Sequence, residues 1–265
     1  MCLTYEDLNP MHQVRYPALV GDAELAQLAA FTELRSVTAL YSDVSDAGLA
    51  RLEGLTSLEE LDFGWNPKIT DAGVLSLLHL PKLKKLVLHR TQVTDRGAAL
   101  LKQLGRLEIL RLGKTQITDQ CLRMIAGLSK LEILDLQFTA ISDDGLRSLA
   151  AMKQLESLSL TATKVGDRGL LHLAKLTNLT GLSLKGTAVT DAGLAHLRQL
   201  ENLRKLDLSG TGVTDAGLAL LSGFSHLNDL QLNSTAVTPN GLKKLQADLW
   251  RLTITTDEPY HPEAD

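Results

Sequence analysis

Apolar residues recur along this chain in two alternating rhythms. The first reads Leu-x-x-Leu-x-Leu, as at Leu83, Leu86 and Leu88, at Leu107, Leu110 and Leu112, and at Leu203, Leu206 and Leu208. Its last part alternates with period two, which predicts a short strand with leucine on one face. The second reads Val-Thr-Asp-x-Gly-Leu-x-x-Leu-x-x-Leu, as from Val213 to Phe224. Apolar residues three apart form one stripe of a short helix.

Together the two rhythms make one repeating unit. The residue opening the second half is Asp22, Asp46, Asp71, Asp95, Asp119, Asp143, Asp167, Asp191 and Asp215, and Pro239 takes its place in the last copy. The spacing is 24 residues, except for a single 25 between Asp46 and Asp71, assigned to one extra residue in Gly64-Trp65-Asn66-Pro67. The residue before this column is Ser, Thr or Gly, from Ser45 to Thr238. These are good N-caps, so the Asp column falls at the first helical position, where negative charge complements the helix dipole. Proline is tolerated there, so Pro239 and the aspartates read as structural equivalents, not catalytic groups. Thr91, Thr115, Thr139, Thr163, Thr187, Thr211 and Thr235 follow the strands. Their hydroxyls are expected to bond backbone groups where the chain leaves the sheet. Glycines such as Gly73, Gly97 and Gly217 sit in the first helical turn, where they cost helix stability and predict a close approach between turns. Cys121 occupies the same column and reads as a small buried apolar residue.

This pattern resembles the leucine-rich repeat family, and within it the 24-residue bacterial variety. It is also similar to the repeats of leucine-rich F-box proteins and of ribonuclease-inhibitor-like proteins. The resemblance covers about Val20 to Ile254. Two departures stand out: Thr replaces the usual Asn at the strand exit, and the cysteine of the F-box-type repeat is missing. The family implies an α/β fold, a right-handed solenoid or horseshoe with a parallel β-sheet on the concave face and short helices on the convex face. Stability then comes from stacking of neighbours, because no single turn buries its own apolar stripe. Residues 1–19 are expected to form an N-terminal cap, 20–254 a repeat domain of about ten turns, and 255–265 an acidic tail that is poorly ordered or guards the last strand edge.

Composition sharpens this picture. Leucine accounts for 58 residues and aromatics for only ten, so the core is aliphatic and each exposed aromatic carries information. A net charge of −4 argues against a general nucleic-acid binder. No stretch is long and apolar enough for a membrane span. Met1–Pro10 lacks the basic start and apolar run of a secretory signal, so a cytoplasmic location is expected unless the start is processed or trimmed. Two cysteines do not make a disulfide framework.

Inward strand positions are taken by leucine, which leaves the outward positions and strand exits to vary. One step before the Thr column the early turns read Tyr41, Trp65, Arg90, Lys114 and Phe138, and the later turns Ala162, Gly186, Gly210 and Ser234. Neighbouring outward positions add Asp62, His89, Arg111 and Asp135. Trp, Tyr and Arg dominate interface hot spots, so these nine residues are the expected partner-binding patch. Ordinary surface drift is the alternative account of the same column. The function expected is a non-enzymatic scaffold binding a partner protein on its concave face, as a monomer. The alternatives are the substrate-recognition part of a ubiquitin-ligase-like assembly, implied by resemblance alone, and a repeat protein with no specific ligand. Only 21 residues precede Asp22, too few for an F-box. No nucleophile elbow or phosphate loop occurs. No catalytic residue, metal site or cofactor is expected, and His172 and His196, one turn apart, read as solvated surface.

Overall fold

The computed structural model describes residues 13–16 and 20–257. Each turn is a short strand followed by a short helix, as the two rhythms require. Two compact units divide the chain, the first ending at Leu134 and the second starting at Asp135. The first holds β1 (Gln13–Tyr16), β2 (Ser36–Ala39), β3 (Glu60–Asp62), β4 (Lys85–Val87) and β5 (Ile109–Arg111). Its helices are α1 (Asp22–Ala26), α2 (Asp46–Ala50), α3 (Asp71–Ser76), α4 (Asp95–Leu101) and α5 (Asp119–Ile125). The division falls inside β6 (Ile133–Asp135). The second unit holds β7 (Ser157–Ser159), β8 (Gly181–Ser183), β9 (Lys205–Asp207), β10 (Asp229–Gln231) and β11 (Thr253–Thr255). Its helices are α6 (Asp143–Leu146), α7 (Asp167–Leu173), α8 (Asp191–Leu194), α9 (Asp215–Leu221) and α10 (Pro239–Asp248).

Within each unit the strands follow one another in chain order. In the first unit Val14, Val37, Leu61, Leu86 and Leu110 stand opposite one another across parallel strands, and all are buried. In the second unit Leu158, Leu182, Leu206 and Leu230 do the same, and the row ends on the half-buried Ile254. The leucine columns therefore form the core. The segment expected to cap the first turn contributes β1, and the remainder of it lies outside the described residues. So does the tail from residue 258 onward.

The helix starts show how successive turns are locked. Most cap hydroxyls accept a backbone N–H of their own helix, as Thr70 does from Ala72 and Thr94 from Arg96, whereas Ser142 makes no such bond. The following aspartate does more than meet the helix dipole. Asp46 reaches the next turn, where its Oδ1 accepts the amides of Thr70 at 2.7 Å and Gly73 at 2.9 Å. Its Oδ2 accepts the Thr70 hydroxyl at 2.6 Å. Asp71 repeats the pairing with Thr94, and Asp191 with Thr214. The glycine column leaves room for this carboxylate: a Cβ on Gly97 would overlap Asp71 Oδ1, and one on Gly217 would overlap Asp191 Oδ1. Cys121 fills the column once, and there Asp95 keeps its bonds to Thr118 at 2.9 and 2.6 Å.

This arrangement corrects the equivalence of Asp and Pro. Proline at the first helical position satisfies the helix but cannot hold the next cap. Pro239 opens α10, and no later helix cap follows it among the described residues. Gly21, the first cap, has no hydroxyl.

The Thr column behaves as expected at the strand exit. Thr91, Thr163 and Thr211 each donate to the leucine carbonyl three residues back, at 2.6–2.7 Å. One turn departs. Asn66 stands in this column and is fully buried. Its Nδ2 donates to the carbonyls of Ala39 at 2.8 Å and Phe63 at 2.9 Å, and its Oδ1 accepts the Val44 amide at 3.1 Å. The asparagine usual in the family is therefore present once, in the turn that carries the extra residue. Ser45 pairs with Lys68 where Thr94 pairs with Gln116. Gln116 directly follows its column residue, whereas Lys68 is two beyond Asn66, so Pro67 is the extra residue. It follows the strand exit and does not distort the backbone beside Trp65.

Candidate functional site

The variable column is defined by its backbone. Tyr41, Trp65, Arg90 and Lys114 in the first unit all adopt positive φ, between 51° and 66°. In the second unit Phe138, Ala162 and Ser234 do so, together with Gly186 and Gly210. This left-handed conformation favours glycine and costs other residues about 1 kcal/mol each. The turn needs it to leave the strand and enter the Thr or Asn position. Gly186 and Gly210 show the residue that relieves this cost. The bulky early side chains accept it.

The first unit joins its four bulky residues into one ladder. Parallel pairing sets their backbones one strand apart: Tyr41 donates its amide to Gly64, Trp65 to His89, and Arg90 to Gly113. The Trp65 ring meets the Tyr41 ring at 4.7 Å between centroids, tilted by 34°. From the other side the Arg90 guanidinium sits 3.9 Å from the Trp65 centroid, and Lys114 Nζ lies 5.7 Å away. His89 meets the Trp65 ring edge-on at 6.2 Å and fills the space above Gly64, where a Cβ would overlap its imidazole. Stacked rings contribute about 0.5–1.5 kcal/mol beyond burial, and a cation over an exposed ring about 0.5–1 kcal/mol. The ladder thus offsets much of its own backbone cost.

Its solvent face is uneven. Trp65 is half-buried between its neighbours, whereas Tyr41 is 58% exposed and the Arg90 and Lys114 side chains are exposed. Trp65 is therefore the keystone of the ladder, and its ring faces are already occupied. Trp65 is covered on its ring faces, and Tyr41, Arg90 and Lys114 are the exposed groups around it.

The remaining residues named from sequence separate. Arg111 ends β5 and is exposed on the sheet. Asp62 ends β3, and its Oδ1 accepts the Gly64 amide at 3.2 Å, so it shapes the strand exit. In the second unit Asp135 does the same for Gln137, accepting its amide and its side-chain Nε2, each at 3.0 Å. Phe138 is 50% exposed. The structure thus joins Tyr41, Trp65, His89, Arg90 and Lys114, and gives Asp62 and Asp135 local backbone roles. Two features escaped the sequence: the buried Asn66 network and the left-handed geometry of the column. Glycine at positions 186 and 210 was the available signal for the latter.

No group of three His, Cys, Asp or Glu residues is placed to hold a metal among the described residues. His172 lies in α7 and His196 in the tight turn after α8. Cys121 is buried, and burial, with a smaller effect from Asp95, pushes its thiol up to about 12. No helix among the described residues is long and apolar enough to cross a membrane.

Comparison with known proteins agrees with this architecture. A family model described as a leucine-rich repeat matches residues 54–78, 127–150 and 199–222. At these positions the chain carries leucine-rich repeats. A solved structure of internalin C2 from Listeria monocytogenes is 25% identical, with a TM-score of 0.63, covering 88% of this chain and 92% of that one. A second internalin from the same organism, inlF, is 20% identical, with a TM-score of 0.51, covering 98% of this chain and 90% of that one. The latter shows shared fold alone. No curated protein sequence matches the chain.

Proposed function

We propose that this chain is a non-enzymatic scaffold that docks a partner protein on the strand-exit ladder and adjoining sheet face of its first unit. The observation that carries this reading is the preorganised stack: Tyr41 held exposed on Trp65, with Arg90 across the other face of the same indole. Aromatic and arginine side chains fixed before binding lose little entropy when a partner arrives. The net charge of −4 favours a protein partner over nucleic acid. The later column residues Ala162, Gly186 and Gly210 offer little side-chain area for a hot spot.

The test measures partner affinity by surface plasmon resonance after capture of the partner with wild-type protein. Tyr41→Ala and Arg90→Ala are expected to weaken binding at least tenfold each while shifting the melting temperature by only a few degrees. Ser183→Ala, on the sheet of the second unit, is expected to leave affinity within twofold. Unchanged affinity in the first two variants, or loss in the third alone, moves the site away from the ladder.

A further inference from the structure

Charge on the first unit's outer face is not evenly satisfied. Several of its acidic groups are engaged: Asp62 by the Gly64 amide at 3.2 Å, Glu60 by Lys85 at 3.6 Å, and Glu59 by Lys84 at 2.7 Å. The Lys84 pair holds the Glu59 carboxyl below its usual range. The cations beside the ladder are placed differently. Arg90 lies over Trp65, and no carboxylate within 4 Å pairs with the guanidinium of Arg90 or Arg111 among the described residues. Arg111 ends β5, three residues before Lys114. Arg90 donates its amide to Gly113, the residue between them at the strand exit. Strands pair about 4.8 Å apart, so the three cations project from two neighbouring turns. They stand out on a chain whose net charge is −4.

From this we infer that the ladder takes an acidic segment of its partner protein. At least two carboxylates of that segment pair with Arg90 and Arg111, and an apolar side chain rests on Tyr41. The inference rests on the partner-docking reading above and adds the chemistry of the partner. Arginine suits it because its planar fork binds a carboxylate through two parallel hydrogen bonds. The stack on Trp65 fixes Arg90 before binding, so this bond forms with little ordering cost.

The probe is a fluorescein-labelled Tyr-containing peptide of twelve residues rich in glutamate, compared with its Glu→Gln counterpart, by fluorescence anisotropy at about 20 and 150 mM NaCl. The acidic peptide is expected to bind at least tenfold tighter than the neutral one and to weaken severalfold at the higher salt. Arg90→Ala and Arg111→Ala are each expected to weaken it three- to tenfold. Lys153→Ala, outside the ladder, is expected to leave it unchanged. Equal binding of the two peptides overturns the inference, as does an effect of Lys153→Ala as large as that of Arg90→Ala. Tighter binding of a twelve-nucleotide poly-dA strand than of the acidic peptide also overturns it, in favour of a nucleic-acid surface. Failure of the peptide with intact sensitivity of partner affinity to Tyr41→Ala rejects the acidic chemistry alone. Loss of both rejects the docking reading with it.

Discussion

Replacing Gly97 by alanine tests the lock between turns, because two forces oppose each other there. Alanine in place of glycine in the first turn of α4 favours the helix by about 0.5–1 kcal/mol. Its Cβ, however, would overlap Asp71 Oδ1 and come within 3.1 Å of Val93 Cγ1. Asp71 must then shift against the Thr94 amide and hydroxyl, both 2.7 Å away. Cys121 shows the size of that shift: it carries a Cβ in this column, and Asp95 still holds the Thr118 amide at 2.9 Å and its hydroxyl at 2.6 Å. Hydrogen bonds to a charged group are worth about 1.5–3 kcal/mol each, so weakening them without breaking them outweighs the helix gain only slightly. The expected net cost of Gly97→Ala is about 1 kcal/mol. Asp71→Ala loses the bonds outright and costs about 2–4 kcal/mol. Once Asp71 is alanine, the space above Gly97 is open except for Val93. Adding Gly97→Ala is then neutral or stabilising by up to about 1 kcal/mol. A double-mutant cycle by urea denaturation, followed by circular dichroism, should return a coupling energy of roughly 1–2 kcal/mol. Hydrogen exchange across α3, α4 and α5 would show whether the loss is local to these turns. Additive costs for the two substitutions would refute the carboxylate-over-glycine account.

Other outcomes follow from the same structure. Pro239→Asp should change stability by less than about 0.5 kcal/mol, whereas Asp167→Pro should cost about 2–4 kcal/mol through loss of its bonds to Thr190; equal effects in thermal melts would contradict the inter-turn role. Asn66→Ala should cost about 3 kcal/mol or more, since it strands the Ala39 and Phe63 carbonyls and the Val44 amide; a cost under about 1 kcal/mol by urea titration would show that the network is dispensable. Cys121, buried with its thiol pushed up to about 12, should resist iodoacetamide at pH 8 in the native protein and react in urea; mass spectrometry reads both states.

Much of this was legible because the repeat tests itself many times over. The 24-residue spacing places every helix of the repeat at its Asp or Pro column, and cap chemistry identifies Thr70 and Thr94 as helix caps. The leucine columns placed the core. What escaped were relations between turns. A carboxylate at the first helical position satisfies the helix dipole in any helix, so nothing in the column alone showed that Asp46 also binds Thr70 and Gly73. Asn66 stands in the threonine column by count from Trp65, but its bonds to Ala39, Phe63 and Val44 join two turns and show only in three dimensions. At the candidate site the residue types single out the column, and the geometry shows how its members stack. The sequence shows Trp65 as the largest aromatic of the column. Only stacking shows that both faces of its ring are occupied, and that Tyr41 and Arg90 carry the accessible surface.

The ladder's role as the docking site is tested most directly by photo-crosslinking. A benzophenone side chain placed at Tyr41, and separately at Ser183, would be irradiated in the presence of the partner. The account predicts a discrete adduct from position 41 that fades in the Arg90→Ala background, with little from position 183. Equal labelling at the two positions, or an adduct at 183 alone, would contradict it.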